Sequence, residues 1–159
     1  MSGIAVVPFR RELAPAFRQL NLDWIERLFR VEAADLKVLD DPEAAIIATG
    51  GMIFFALEGE TAVGTVAMIR TAGDRYELAK MGVAGAHQGR GIGERLGQAG
   101  ITWARGAGAR LIFLETNSRL GNAIRLYQRL GFRHAPHPRP SDYARSDVYM
   151  ELRLEPVRS

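Results

Sequence analysis

Between Tyr76 and Gly93 the chain reads YELAKMGVAGAHQGRGIG. This stretch starts as a strand and turns through a glycine-rich loop. It then opens a helix, because Ile92, Leu96, Ala99 and Trp103 recur at the spacing of one helical face. A strand, a glycine loop and a helix N-terminus in that order make an anion site. Backbone N–H groups without helical partners point outward there, and the helix dipole favours negative charge. A nucleotide-like pyrophosphate suits such a site. The dinucleotide fingerprint G-x-G-x-x-G fails, because its third glycine falls on Glu94 or Leu96, and no G-x-x-x-x-G-K-S/T occurs.

The segment does fit Q/R-x-x-G-x-G/A, as Gln88-Gly89-Arg90-Gly91-Ile92-Gly93. In these residues the chain resembles the GNAT superfamily of N-acetyltransferases, in which this loop holds the pyrophosphate of acetyl-CoA. A motif this short also matches ordinary glycine turns ahead of helices, so a second match has to decide. It lies about thirty residues downstream, where LIFLETNSRLGNAIRLYQRLGF resembles the family's C-terminal motif in Asn122, Ala123, Leu126, Tyr127, Gly131 and Phe132. Helical spacing lets one side of this segment present Asn122 and Tyr127 to a groove, while Gly131 ends the helix. On periodicity alone, Tyr127 reads instead as a core aromatic with its hydroxyl at the surface. The likeness is strong over Tyr76–Phe132 and looser over the first seventy residues, where element order matches but no motif does.

Around this centre the chain divides simply. Ile4 to Phe9, Met52 to Leu57, Thr61 to Arg70, Tyr76 to Val83, Leu111 to Leu114, a short piece from Phe132 and Asp147 to Leu154 read as seven strands. A helical stripe at Leu13, Phe17, Leu20, Trp24 and Leu28 precedes a break expected at Asn21, and Asp41-Pro42 caps a short helix that Gly50-Gly51 ends. The fifth strand, flanked by helices, should pair parallel to the fourth. The expected architecture is α/β (α+β), one domain over residues 1–159. As the resemblance implies, it is a mixed, mostly antiparallel sheet of about seven strands, with helices on both faces and a cleft where strands four and five splay.

The resemblance further implies acetyl-CoA as co-substrate, lying in that cleft. Unpaired backbone groups at Met81 and Val83 would meet its pantetheine arm, Gln88 to Gly93 its pyrophosphate, and Asn117 and Asn122 would add pantetheine contacts. Gly82 is the expected bulge point. An amine acceptor near neutral pH is mostly protonated and needs a base. Glu77, eleven residues before Gln88, sits where the histone-modifying branch carries a strand-four glutamate, and a sheet-face salt bridge is its alternative use. Tyr127 is the family's general acid. His87, the other candidate for a proton role, is expected to be exposed.

No metal is expected, since His87, His134 and His137 show no ligand spacing with carboxylates. With no cysteine, disulfides and thiolate chemistry are excluded. A net charge of +3 is spread along the chain, apart from Arg133 to Arg145, which argues against nucleic acid. No apolar run reaches membrane length and no signal pattern is present, so a cytoplasmic protein is expected. Glu26, Glu32, Asp35, Asp40, Asp41 and Glu43 form a local acidic cluster that could steer a cationic acceptor or simply be a solvated helix face. The partner is then a small-molecule or peptide amine, with homodimerisation through the last strand or Trp24 open. A non-catalytic acyl-CoA-binding module is the alternative function, and a basic nucleic-acid-associated protein the more distant one.

Overall fold

A computed structural model describes residues 3–155. One seven-stranded sheet runs through it, in the order β1-β2-β3-β4-β5-β7-β6. The strands are β1 Ile4–Pro8, β2 Met52–Glu58, β3 Thr61–Ala72, β4 Arg75–Val83, β5 Leu111–Thr116, β6 Arg133–His134 and β7 Val148–Arg153. Every neighbouring pair is antiparallel except β4 and β5, which run parallel and are joined through a helix, as the alternation of elements predicts.

The central strands alternate because both faces are covered. On β2, Ile53, Phe55 and Leu57 meet the core under the first helices, while Phe54 and Ala56 turn to the opposite core. The first core packs beneath α1 (Ala14–Leu28) and α2 (Ala33–Leu39), with Phe17, Ile25, Leu39 and Ile46 fully buried. The second packs beneath α3 (Ile92–Gly106) and α4 (Gly121–Arg129). There Leu96 and Ile112 lie in it, and Val148, Met150 and Leu152 of β7 join it together with Leu154 just past the strand.

Three local expectations change. Asn21 does not break α1; it is buried in a continuous helix, where its amide donates to the Phe17 carbonyl at 2.9 Å and accepts from the Trp24 indole at 3.0 Å. A residue that favours turns is tolerated mid-helix because both ends of its amide are used. The apolar stripe is also rotated: Phe17, Leu22 and Ile25 face the core, whereas Leu28 stays 42% exposed. Finally, α2 carries no sequence stripe long enough to notice. Its start is fixed by a reciprocal capping box between Glu32 and Asp35. Asp41 does cap the next turn, accepting from the Ala44 N–H at 3.2 Å, and that turn winds as a π-helix over Glu43–Ile47. Among the described residues, no helix is long and apolar enough to cross a membrane.

Candidate active site

The parallel pair holds for only three registers, Arg75 with Leu111, Tyr76 with Ile112 and Glu77 with Phe113, and then the strands part. The cause lies on the other side of β4. Thr65 pairs with Gly82 and Ala67 with Ala79, so Lys80 and Met81 together face Val66 alone. That extra residue is a bulge, and Lys80 takes the left-handed conformation within it, with φ +54°. The bulge was expected at Gly82. Glycine is needed there for a different reason: a Cβ would stand 3.0 Å from the Leu20 carbonyl and 3.1 Å from the Trp24 ring, so Gly82 is where α1 crosses the strand.

The parted strands enclose a cavity of about 400 Å³. Of the residues singled out in the sequence, Glu77, Met81, Val83, Gln88, Asn117, Asn122 and Tyr127 line it. Gly89, Arg90, Gly91, Ile92 and Gly93 lie outside its lining and form the turn into α3. Gly89 and Gly91 have φ of +80° and +77°, and Gly91 is the N-cap of α3 with no side chain capping the helix. The N–H groups of the first turn therefore have no acceptor among the described residues. Ile92 can contribute only its backbone, because its side chain is core. Glu94, a carboxylate where an anion would bind, accepts a hydrogen bond from Arg129 at 3.1 Å, which offsets its charge. The Gln88 amide donates to the Val83 carbonyl at 3.1 Å and ties the loop to the strand. Arg90 reaches solvent, 3.9 Å from Glu58. His87 is not exposed as expected; its Nε2 lies 3.2 Å from Glu58 and its Nδ1 is buried with no partner among the described residues.

At the other end, α4 brings Tyr127 in from the second core. Its ring packs edge-on to Phe132 at 6.2 Å, and its hydroxyl makes no hydrogen bond to another described residue. Burial pushes the phenol up to about 12, so it keeps its proton at any working pH. Glu77 faces the same cavity. Burial, reinforced by the neighbouring Glu115 charge and partly offset by Lys80, pushes its carboxyl up to about 7. Asn122 lines the wall, its side-chain oxygen accepting from Arg125. Asn117 also lines it, but its amide is spent on the fold, donating to the Arg145 carbonyl at 2.7 Å and accepting from the Arg119 N–H at 2.8 Å. A pantetheine contact from that side chain would compete with these bonds.

With this geometry the relatives can be compared. The profile of the acetyltransferase (GNAT) family matches residues 14–132. The chain belongs to the GNAT family of acetyltransferases. Over 80 residues it is 38% identical to the N-alpha-acetyltransferase RimI of Mycobacterium tuberculosis, a match covering 48% of this chain and 49% of that protein. The matched segment thus spans about half the length of this curated relative. A GNAT acetyltransferase from Staphylococcus aureus Mu50 superposes with a TM-score of 0.88 at 20% identity, covering 96% of this chain and all of the other. YncA of Salmonella typhimurium, solved with its cofactor acetyl-CoA, gives a TM-score of 0.75 at 22% identity, covering 99% and 98%. At these identities the structures establish a shared fold.

Two features of this GNAT chain were not read from its sequence. Glu115 stands on β5 two residues beyond Phe113, the partner of Glu77, so both carboxylates share one face of the sheet. Ser141 donates to Glu115 at 3.0 Å and His137 lies 3.5 Å away. The parallel pairing, which the sequence does suggest, was the signal that could have found it. The acidic cluster, by contrast, is not an open field. Arg11 pairs with Glu43 at 3.0 Å and Arg18 with Asp40 at 3.1 Å, while Asp41 caps a turn. Asp35 is wholly buried between Lys80 at 2.5 Å and Arg145 at 2.6 Å, and Arg145 also reaches Glu32 at 3.3 Å. Burial alone would raise the Asp35 carboxyl, but hydrogen bonds from Arg145 and Lys80 outweigh it and bring it to about 2.

Proposed function

We propose that this chain is an acetyl-CoA-dependent N-acetyltransferase that acts on a primary amine of a small molecule or peptide by direct attack in a ternary complex. The supporting observation is the β4–β5 cleft, which gathers Glu77, Tyr127 and the loop leading to an uncapped helix N-terminus around one cavity. The residues fit the cofactor: a row of free N–H groups at Gly89–Gly93 suits a diphosphate, and the bulged end of β4 leaves backbone beside β5 unpaired. The bound cofactor supplies an acetyl thioester. The RimI relative and the acetyl-CoA complex of YncA support the same assignment.

The chain's own groups divide the proton work. Glu77, near 7, takes a proton from the incoming ammonium, directly or through water, and releases it to solvent. A backbone N–H at the β4 bulge, near Met81, polarises the carbonyl under attack. Tyr127 holds its proton until the sulfur departs, donates it to the thiolate, and regains one from the nitrogen that attack leaves protonated, so that the amide and the thiol leave neutral. Acidic Glu115 close by raises the basicity of Glu77.

Thiol release from acetyl-CoA in the presence of an amine panel tests this reading. Unmodified protein should release thiol with at least one primary amine. Tyr127→Phe should bind acetyl-CoA unchanged yet lose roughly 100-fold in kcat. Unchanged turnover in that variant removes Tyr127 from the mechanism, and no thiol release with any amine favours a silent acyl-CoA-binding module.

A further inference from the structure

We propose that the acceptor carries a carboxylate several bonds from its primary amine, and that Arg27 and Arg119 receive this carboxylate at the mouth of the cavity. This deepens the reading of the cavity as an acetyl-transfer site and rests on it. The charges that line the cavity divide into those already paired and those left open.

Six charged side chains line the cavity: Glu77, Glu115, Arg27, Lys80, Arg119 and Arg145. Lys80 binds Asp35, Arg145 binds Asp35 and Glu32, and both cations lie over the Tyr143 ring, at 4.4 and 4.7 Å. Arg27 and Arg119 have no carboxylate partner among the described residues. The acids around them are occupied or turned aside. Asp23, one turn before Arg27, accepts from the Gln19 amide at 2.7 Å. Glu26 is adjacent in sequence, but a helix turns adjacent side chains apart. Asp147, close enough to feel the Arg119 charge, accepts from the Ser118 N–H and hydroxyl, each at 2.8 Å.

Arg119 is held in position. Its Nη2 donates to the Leu28 carbonyl at 3.2 Å, its Nε to the Asn117 side-chain oxygen at 3.4 Å, and its guanidinium lies 4.6 Å over the Phe29 ring. Stacking uses the face of the guanidinium and leaves its in-plane donors open, and Nη1 has no hydrogen-bond partner among the described residues. Leu28 follows Arg27 in the chain, so both arginines stand at the C-terminal end of α1. This helix covers the sheet face opposite α3, whose N-terminal turn suits the diphosphate. The carboxylates lie at the other end of the cavity. Glu77 pairs with Phe113, and β5 runs about 10 Å further to Thr116 before the turn that carries Arg119. Glu77 and Glu115 are half-buried, whereas Arg27 and Arg119 are exposed. An acceptor with its ammonium at Glu77 and a carboxylate reaching outward therefore meets opposite charge at both ends, and a guanidinium edge takes a carboxylate through two parallel N–H bonds.

6-Aminohexanoate, hexylamine and 1,6-diaminohexane share one chain length and a primary amine of similar basicity, and differ at the far end in a carboxylate, a methyl or a second ammonium. Thermal shift with acetyl-CoA is measured first, then thiol release at low salt. The expected result is a clear acetyl-CoA shift, with kcat/KM for 6-aminohexanoate at least about threefold above that for either other amine. Arg27→Gln and Arg119→Gln should each reduce this ratio while the acetyl-CoA shift persists. Arg27 is exposed and has no hydrogen bond among the described residues to lose, so Arg27→Gln decides alone if Arg119→Gln does not fold. A ratio below about threefold, no turnover of any of the three amines, or a ratio unchanged in either folded variant overturns the acceptor class. Loss of the acetyl-CoA shift in a folded variant also overturns it, by placing these cations on the cofactor. Absence of the shift in the unmodified protein overturns the transfer-site reading beneath it.

Discussion

Glu77 works against the stability of the fold it sits in. Its carboxyl titrates near 7 in the folded chain against an ordinary 4.5, so the folded state holds that proton more tightly than the unfolded one. Such a group stabilises most below pH 4.5, and its contribution fades as pH rises through 7. Glu77→Gln should therefore stabilise the protein by about 2 kcal/mol at pH 8, seen in denaturant or thermal unfolding, while lowering kcat by roughly 100-fold. A variant that is inactive and also less stable would assign Glu77 a structural role. Glu115 tunes the same proton. Its negative charge raises Glu77, so Glu115→Gln should lower the Glu77 pKa and move the acid limb of the kcat/KM profile below its position near 7 in the unmodified protein. A limb that stays in place would mean that the two carboxylates do not sense each other.

Among the elements, the β4 bulge shapes the cleft, and Lys80 is its strained residue. A left-handed conformation costs a side chain bearing a Cβ about 1–2 kcal/mol, and the surroundings must hold it there. Asp35 does so from the capping box of α2, and Arg145 ties the loop before β7 to the same carboxylate. Three segments distant in sequence thus converge on one buried anion. Asp35→Ala should cost about 3–5 kcal/mol, read as a fall in Tm, because it leaves buried Lys80 without its carboxylate and Arg145 with Glu32 alone. This cluster also marks where the sequence stops being informative. The glycine turn, the face of α4 carrying Asn122 and Tyr127, and the parallel β4–β5 pair were legible, because each is set by local spacing. The pairing of Asp35 with Lys80 spans 45 residues and leaves no local pattern. The same holds for the meeting of Glu77 with Glu115. Read from sequence alone, Asp35 looked like part of a local acidic cluster, and Trp24 and Leu28 were members of one helical stripe with nothing to mark them as lining the cavity.

At the scale of the whole molecule, a sheet with a separate core on each face is opened along one seam, and that seam holds the cavity. The helices of one face supply Trp24 and Phe29, while those of the other supply Tyr127 and the uncapped end of α3. A ligand filling the seam should bind the folded chain alone and stabilise it by mass action. Thermal unfolding of the unmodified protein with acetyl-CoA, NAD or ATP, each in large excess, tests this most directly. Acetyl-CoA at about 100 times its Kd should raise Tm by about 5 °C or more, with little change from NAD or ATP. No shift with acetyl-CoA, or equal shifts with all three, would contradict the assignment of the cleft.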